Sequence, residues 1–184
     1  MARLNVVGAD PSLRNWGIAA GNIDTQTNEL NVSVLRVVRA DVPTGKQVRQ
    51  NSKDLLVSQQ LYEGMKPFLP GVNVMFVEVP VGSQSARAMA SYGVCVGVLG
   101  SLRANGHTFI EVTPNEVKLA TVGKKTASKE EMIAWAMAKF PNAPWPFHHG
   151  KINAGLAEHM ADACAAIVAG IATNEFKQLA AILR

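Results

Sequence analysis

Three apolar segments near the N-terminus, Leu4–Ala9, Trp16–Asn22 and Leu30–Val38, follow one another with only short polar stretches between them. Connections that short join antiparallel strands, because a parallel crossover needs a dozen residues or more. Asp24–Asn28 supplies the turn chemistry of a hairpin between the second and third segments. The pattern then changes. Val57, Leu61, Met65 and Phe68 recur at helical spacing, and Val72–Val77 reads as a buried strand. Ser85–Ala104 carries Ala, Met and Val at helical intervals up to an Asn105-Gly106 stop, and Thr108–Val112 is a further strand. Thr113-Pro114-Asn115-Glu116 and Ser128-Lys129-Glu130-Glu131 both open helices with a capping box. Pro141–Gly155 reads as a loop, and Leu156–Ala172 and Glu175–Leu183 as helices. Hairpin strands followed by strand–helix alternation predict an α/β chain with one mixed, five-stranded sheet flanked by helices.

With 184 residues, 48% of them hydrophobic, the chain suits a single domain over residues 1–184 with a sizeable core. A net charge of +4 permits an anionic partner without requiring one. Cys95 and Cys164 lie inside apolar runs and outside any C-x-x-C pair, which argues against a disulfide framework and a zinc ribbon. The N-terminus carries Asp10 and lacks the long apolar stretch of a signal peptide. The longest apolar stretch, Val94–Leu102, falls far short of the roughly 20 residues of a membrane span. The expectation is a soluble, cytoplasmic protein.

Function is written in the places where carboxylates interrupt apolar runs. Asp10 ends the first strand and Glu78 ends the central one. A carboxylate at the end of a core strand must be neutralised, paired or bound to a cation. On the Leu156–Ala172 helix, Leu156, Met160, Ala163, Cys164, Ile167 and Ile171 form an apolar stripe. His159 lies at its border and Asp162, three residues on, reaches the same site, whereas Glu158 points away as a solvent-facing acid. Two strand-end acids and a third on a packing helix would form a Mg²⁺ or Mn²⁺ site, since hard cations take oxygen ligands. His159 would either ligate a metal or position water, and the sequence does not choose between them.

Lys118, Lys124, Lys125 and Lys129 form a basic cluster, and Lys46, Arg49 and Lys53 a second. Beside an acidic metal site such lysines point to phosphate contact, and Arg14, just past Asp10, joins these candidate DNA contacts. Trp145, Phe147, His148, His149 and Lys151 in the long loop either touch DNA or pack the loop down. His148-His149 lacks the cysteine partners of a zinc site.

GADPSLRNWG around Asp10, VEVPVGSQSARAMASYGVCVGVL around Glu78, TPNEVKLATVGKKTASKEEM and HMADACAAI together resemble, in order and spacing, the RuvC family of Holliday-junction resolvases, which have the RNase H-like fold. The resemblance runs from Leu4 to about Gly170. It implies that Asp10 is the acid of the first strand, Glu78 the acid ending the fourth, and His159 and Asp162 the helix pair. It implies that Lys118 and Lys129 lie near the junction. The expected protein is a homodimer whose two sites, each with two Mg²⁺ or Mn²⁺ ions, nick opposed strands of a four-way DNA junction. Ser12 replaces the glycine usual after Asp-Pro, and Val81 stands where relatives often carry an aromatic. The Pro141–Gly155 loop is longer than the usual connection.

Other readings use the same residues. Gly8-Ala9-Asp10 followed by Gly17 is similar to the first phosphate loop of actin-like ATPases, but that fold needs two such domains. Gly123–Thr126 is not a phosphate-binding P-loop, because Lys118 occupies the first glycine position. A non-catalytic branched-DNA-binding protein would have no need of Asp10, Glu78 and Asp162 together. The main alternative keeps the chemistry and changes the substrate to a flap, a fork or an RNA–DNA hybrid.

Overall fold

The computed structural model describes residues 3–44 and 48–182, so Lys46 of the second basic cluster lies outside the described residues. The three N-terminal segments form β1 (Arg3–Asp10), β2 (Asn15–Asp24) and β3 (Leu30–Arg39), paired antiparallel in sequence order. The β2–β3 turn is held by Asp24, whose carboxylate accepts from the amides of Gln26 and Thr27, while Asn28 takes a positive φ of 57°. After α1 (Gln50–Met65) and a short 3₁₀ turn come β4 (Val74–Glu78), α2 (Ala86–Ala104) and β5 (Phe109–Val112). The two later strands add in parallel, giving one five-stranded sheet in the order β3-β2-β1-β4-β5. This is the mixed, helix-flanked sheet expected from the sequence.

The remaining elements are α3 (Pro114–Thr121), α4 (Lys129–Lys139), α5 (Ala154–Ile171) and α6 (Asn174–Ile182). Both capping boxes are present: Thr113 and Ser128 accept from the third helical amide, and Glu116 and Glu131 reach back to the cap amides. The stretch expected to be a loop over Pro141–Gly155 contains a small antiparallel ribbon, β6 (Phe147–His148) with β7 (Lys151–Ile152).

Alternation along the strands divides the core in two. Leu4, Val6, Ala19, Ile23 and Phe76 face α4, α5 and α6, whereas Val7, Ala9, Trp16, Met75 and Val77 face α1 and α2. By length and composition α5 would be able to cross a membrane, and it is a longer apolar element than Val94–Leu102. In this fold it is the core helix, with Ala157, Met160, Ala163, Cys164 and Ile167 buried against the sheet. Cys95 and Cys164 are both buried and free.

Candidate active site

The period of two that packs Val6 and Gly8 under α5 carries Asp10 onto the same face, and Phe76 does the same for Glu78. The parallel register pairs Gly8 with Phe76 and Ala9 with Val77, which brings the two acids level at the ends of adjacent strands. From above, α5 supplies His159 and Asp162. The approach is close: a Cβ on Gly17 would stand 2.0 Å from the His159 carbonyl oxygen, and one on Gly8 2.1 Å from that of Ala163. Only glycine at these two strand positions lets the helix lie so near the sheet. His159 Nδ1 thereby comes within 3.2 Å of Asp10 Oδ2, with both side chains under one-fifth exposed.

The electrostatics follow from that crowding. Burial, then the charges of Asp10 and Asp162, push the Glu78 carboxyl up to about 8. Burial, then Asp10 and Glu158, push Asp162 up to about 7. His159 is raised above the usual imidazole range, chiefly by its hydrogen bond to Asp10. Lys118 is the cation that opposes the rise at both Glu78 and Asp162, so α3 presents an ammonium toward the acids.

The other candidate DNA contacts are distributed differently. Lys129 is ion-paired with Glu158 across α4 and α5, and Lys124 with Glu131 at the start of α4. Lys125 stands exposed on the turn between α3 and α4. Arg14 lies on a separate polar cleft with Lys53 and Arg87, the latter held by both carboxylate oxygens of Asp54. Glu158 departs from its expected solvent-facing role. Its side chain is 23% exposed, bonded to Lys129, and close enough to raise Asp162. No local sequence pattern announces this pair, because its two residues lie nearly thirty positions apart on separate helices.

A divalent cation fits this group by donor type and charge. Three carboxylates crowd one another beside an imidazole, their mutual repulsion only partly offset by His159 and Lys118, and a doubly charged ion would relieve it. The coordination sphere is not preformed. Among the described residues, no three His, Cys, Asp or Glu side chains stand close enough together to hold an ion.

No protein-family model matches the chain, and no curated protein matches it. Solved structures do. Thermus thermophilus RuvC in complex with a Holliday junction substrate aligns with a TM-score of 0.62 at 19% identity, over 90% of this chain and 92% of that one. A second Thermus thermophilus RuvC structure aligns at 0.59 and 21% identity, with the same coverage of 90% and 92%. The yeast mitochondrial Holliday junction resolvase aligns at 0.60 and 12% identity, over 98% of this chain and 86% of that one. The chain has the RuvC-like resolvase fold. In this RuvC-like frame the Asp10–His159 contact spans the first strand and the core helix, at the end of the sheet where Glu78 also lies.

Proposed function

We propose that the chain is a structure-selective, divalent-metal-dependent endodeoxyribonuclease that resolves four-way DNA junctions by paired nicks. The observation that carries this reading is the convergence of Asp10, Glu78, Asp162 and His159 at one end of the sheet, in a fold shared with a RuvC bound to a Holliday junction substrate. Asp10, Glu78, Asp162 and His159 would hold one or two Mg²⁺ or Mn²⁺ ions. Bound there, the metal would supply positive charge to the phosphodiester, favour ionisation of the attacking water and stabilise the departing 3′ oxygen.

The chain's own groups prepare the rest. Asp10 orients the His159 ring through Nδ1, leaving Nε2 for a ligand or a proton. Lys118 favours the ionised forms of Glu78 and Asp162 and offers a cation to a phosphate arriving beside them. Lys124, Lys125, Lys129 and Arg14 would meet the DNA backbone further out. Paired nicks require two such sites related by a two-fold axis, which a homodimer supplies.

The test is nick mapping. Purified protein with Mg²⁺ is given matched four-way, fork, flap, RNA–DNA hybrid and linear duplex substrates. Symmetric nicks in opposed strands of the four-way junction are expected. Cutting confined to flaps, forks or hybrids would transfer the same site to another substrate, and binding without cutting would make the chain a branched-DNA-binding protein.

A further inference from the structure

The β6–β7 ribbon is not used by the chemistry above, yet it is built to project. Its base is fixed on both sides. Trp145 is buried and its indole Nε1 donates to the Phe140 carbonyl at 2.9 Å, while the Asn153 amide donates to the Pro146 carbonyl at 2.9 Å. Ile152 packs on the main core. From this base the chain extends two residues, turns through His149 and Gly150, and returns. Both turn residues have positive φ, 46° and 74°, as a type I′ turn requires. Asn or Gly ordinarily takes the first of these positions; a histidine there sits in a region that side chains seldom adopt.

The ribbon is also chemically two-sided. Residues directly opposite in an antiparallel pair share a face, so Phe147 lies beside Ile152 and His148 beside Lys151. Phe147 is a large apolar side chain left 58% exposed, although the anchored segment beside it buries Trp145 and part of Ile152. His148 and His149 contact each other with ring centroids 4.1 Å apart, next to Lys151. Two imidazoles alone do not make a metal site, and no third ligand stands with them among the described residues. An exposed aromatic on one face with a cation on the other suits neighbouring nucleotides of a strand passing over the ribbon, with a base to stack on and a phosphate to pair with.

The ribbon also lies close to the candidate site. The ribbon leads directly into α5 through the cap Asn153, and His159 follows within the next two turns. At about 1.5 Å per residue that places the end of the ribbon on the order of 9 Å along the helix axis from His159. Such a distance corresponds to roughly three nucleotides of duplex strand at ~3.4 Å each.

We infer that the β6–β7 ribbon is a second DNA contact, in which Phe147 stacks an unpaired base near the branch point while Lys151 and the His148-His149 tip meet the adjacent backbone. This rests on the reading of the chain as a nuclease of branched DNA, and it makes base opening beside the cut part of how the substrate is recognised.

The experiment measures binding in metal-free buffer, using a four-way junction with 2-aminopurine at the branch point and a linear duplex of the same sequence. Wild type should change the 2-aminopurine fluorescence on binding. Phe147→Ala should lose that change and lower the junction-to-duplex affinity ratio by about tenfold, and Phe147→Trp should restore both. Lys151→Ala should weaken binding to junction and duplex alike. If Phe147→Ala keeps both the fluorescence change and the ratio, the inference is overturned. It is equally overturned if that variant alters the mass seen by light scattering, which would make the ribbon a contact between protein chains. A wild-type protein with no preference for the junction would instead overturn the reading on which the inference rests.

Discussion

At the residue scale, the decisive groups are carboxyls forced together. Glu78 and Asp162 hold their protons to about 8 and about 7 in the folded chain, well above their ordinary carboxyl values of 4.5 and 3.8. Between those ranges the folded state binds more protons than the unfolded one, so stability falls as pH rises from about 4 to about 8. His159 acts in the same direction, since its raised value gives stability below the ordinary imidazole range that is lost as pH climbs through the folded one. Asp54 and Glu131, held low by Arg87 and Lys124, act below that window. Metal-free protein should therefore melt at a lower temperature at pH 8 than at pH 5, and Glu78→Gln should flatten the difference. Mg²⁺ should raise the melting temperature more at pH 8, where the carboxyls hold fewer protons for the ion to displace. Calorimetry with equal melting at both pH values and no Mg²⁺ effect would remove the repulsive cluster from the account.

At the scale of elements, the contact that matters is α5 lying on β1 and β2 through Gly8 and Gly17. Gly17→Ala sets a methyl group against the His159 backbone, and overpacking of this kind costs about 1–3 kcal/mol. Lower thermal stability is expected together with slower cleavage, because the helix that must shift is the one carrying His159 and Asp162. The lysines separate by element as well. Lys118→Ala should weaken binding to every DNA tested and reduce the salt slope by about one charge. Lys124→Ala should do less, since its ammonium is already paired with Glu131. Equal effects measured by salt titration would mean that the Lys124–Glu131 pair opens on DNA. Much of this was legible in the sequence. The apolar runs LNVVGA and VNVMFV, each stopped by an acid, placed Asp10 and Glu78 at strand ends, and both capping boxes marked their helices. The ribbon at Phe147–Ile152 was not legible, because two-residue strands carry no period and its turn uses His149 where Asn would have signalled a hairpin. The Lys129–Glu158 pair was hidden for another reason, being a product of how α4 packs on α5.

At the scale of the whole molecule, paired nicking demands a second copy. One face of α2 exposes Met89 and Val96, a Cβ on Gly93 or Gly97 there would touch nothing within 4 Å, and this is the face we propose meets it. Close helix approach is open there. Light scattering should give about twice the 19.7 kDa chain mass, and Gly93→Glu, which the isolated fold accommodates, should shift it toward monomer. A wild-type monomer that makes paired symmetric nicks would remove the dimer from the account. On the proposed function, Asp10 would anchor a metal-dependent cutting centre distinct from the surface that binds DNA. It is tested most directly by single-turnover cleavage of a four-way junction with Mg²⁺, comparing wild type with Asp10→Asn and measuring junction affinity in parallel. Losing this ligand should cost several kcal/mol of transition-state stabilisation, so cleavage should fall by about 100-fold or more while affinity stays within about threefold. Cleavage by Asp10→Asn at near the wild-type rate would contradict it.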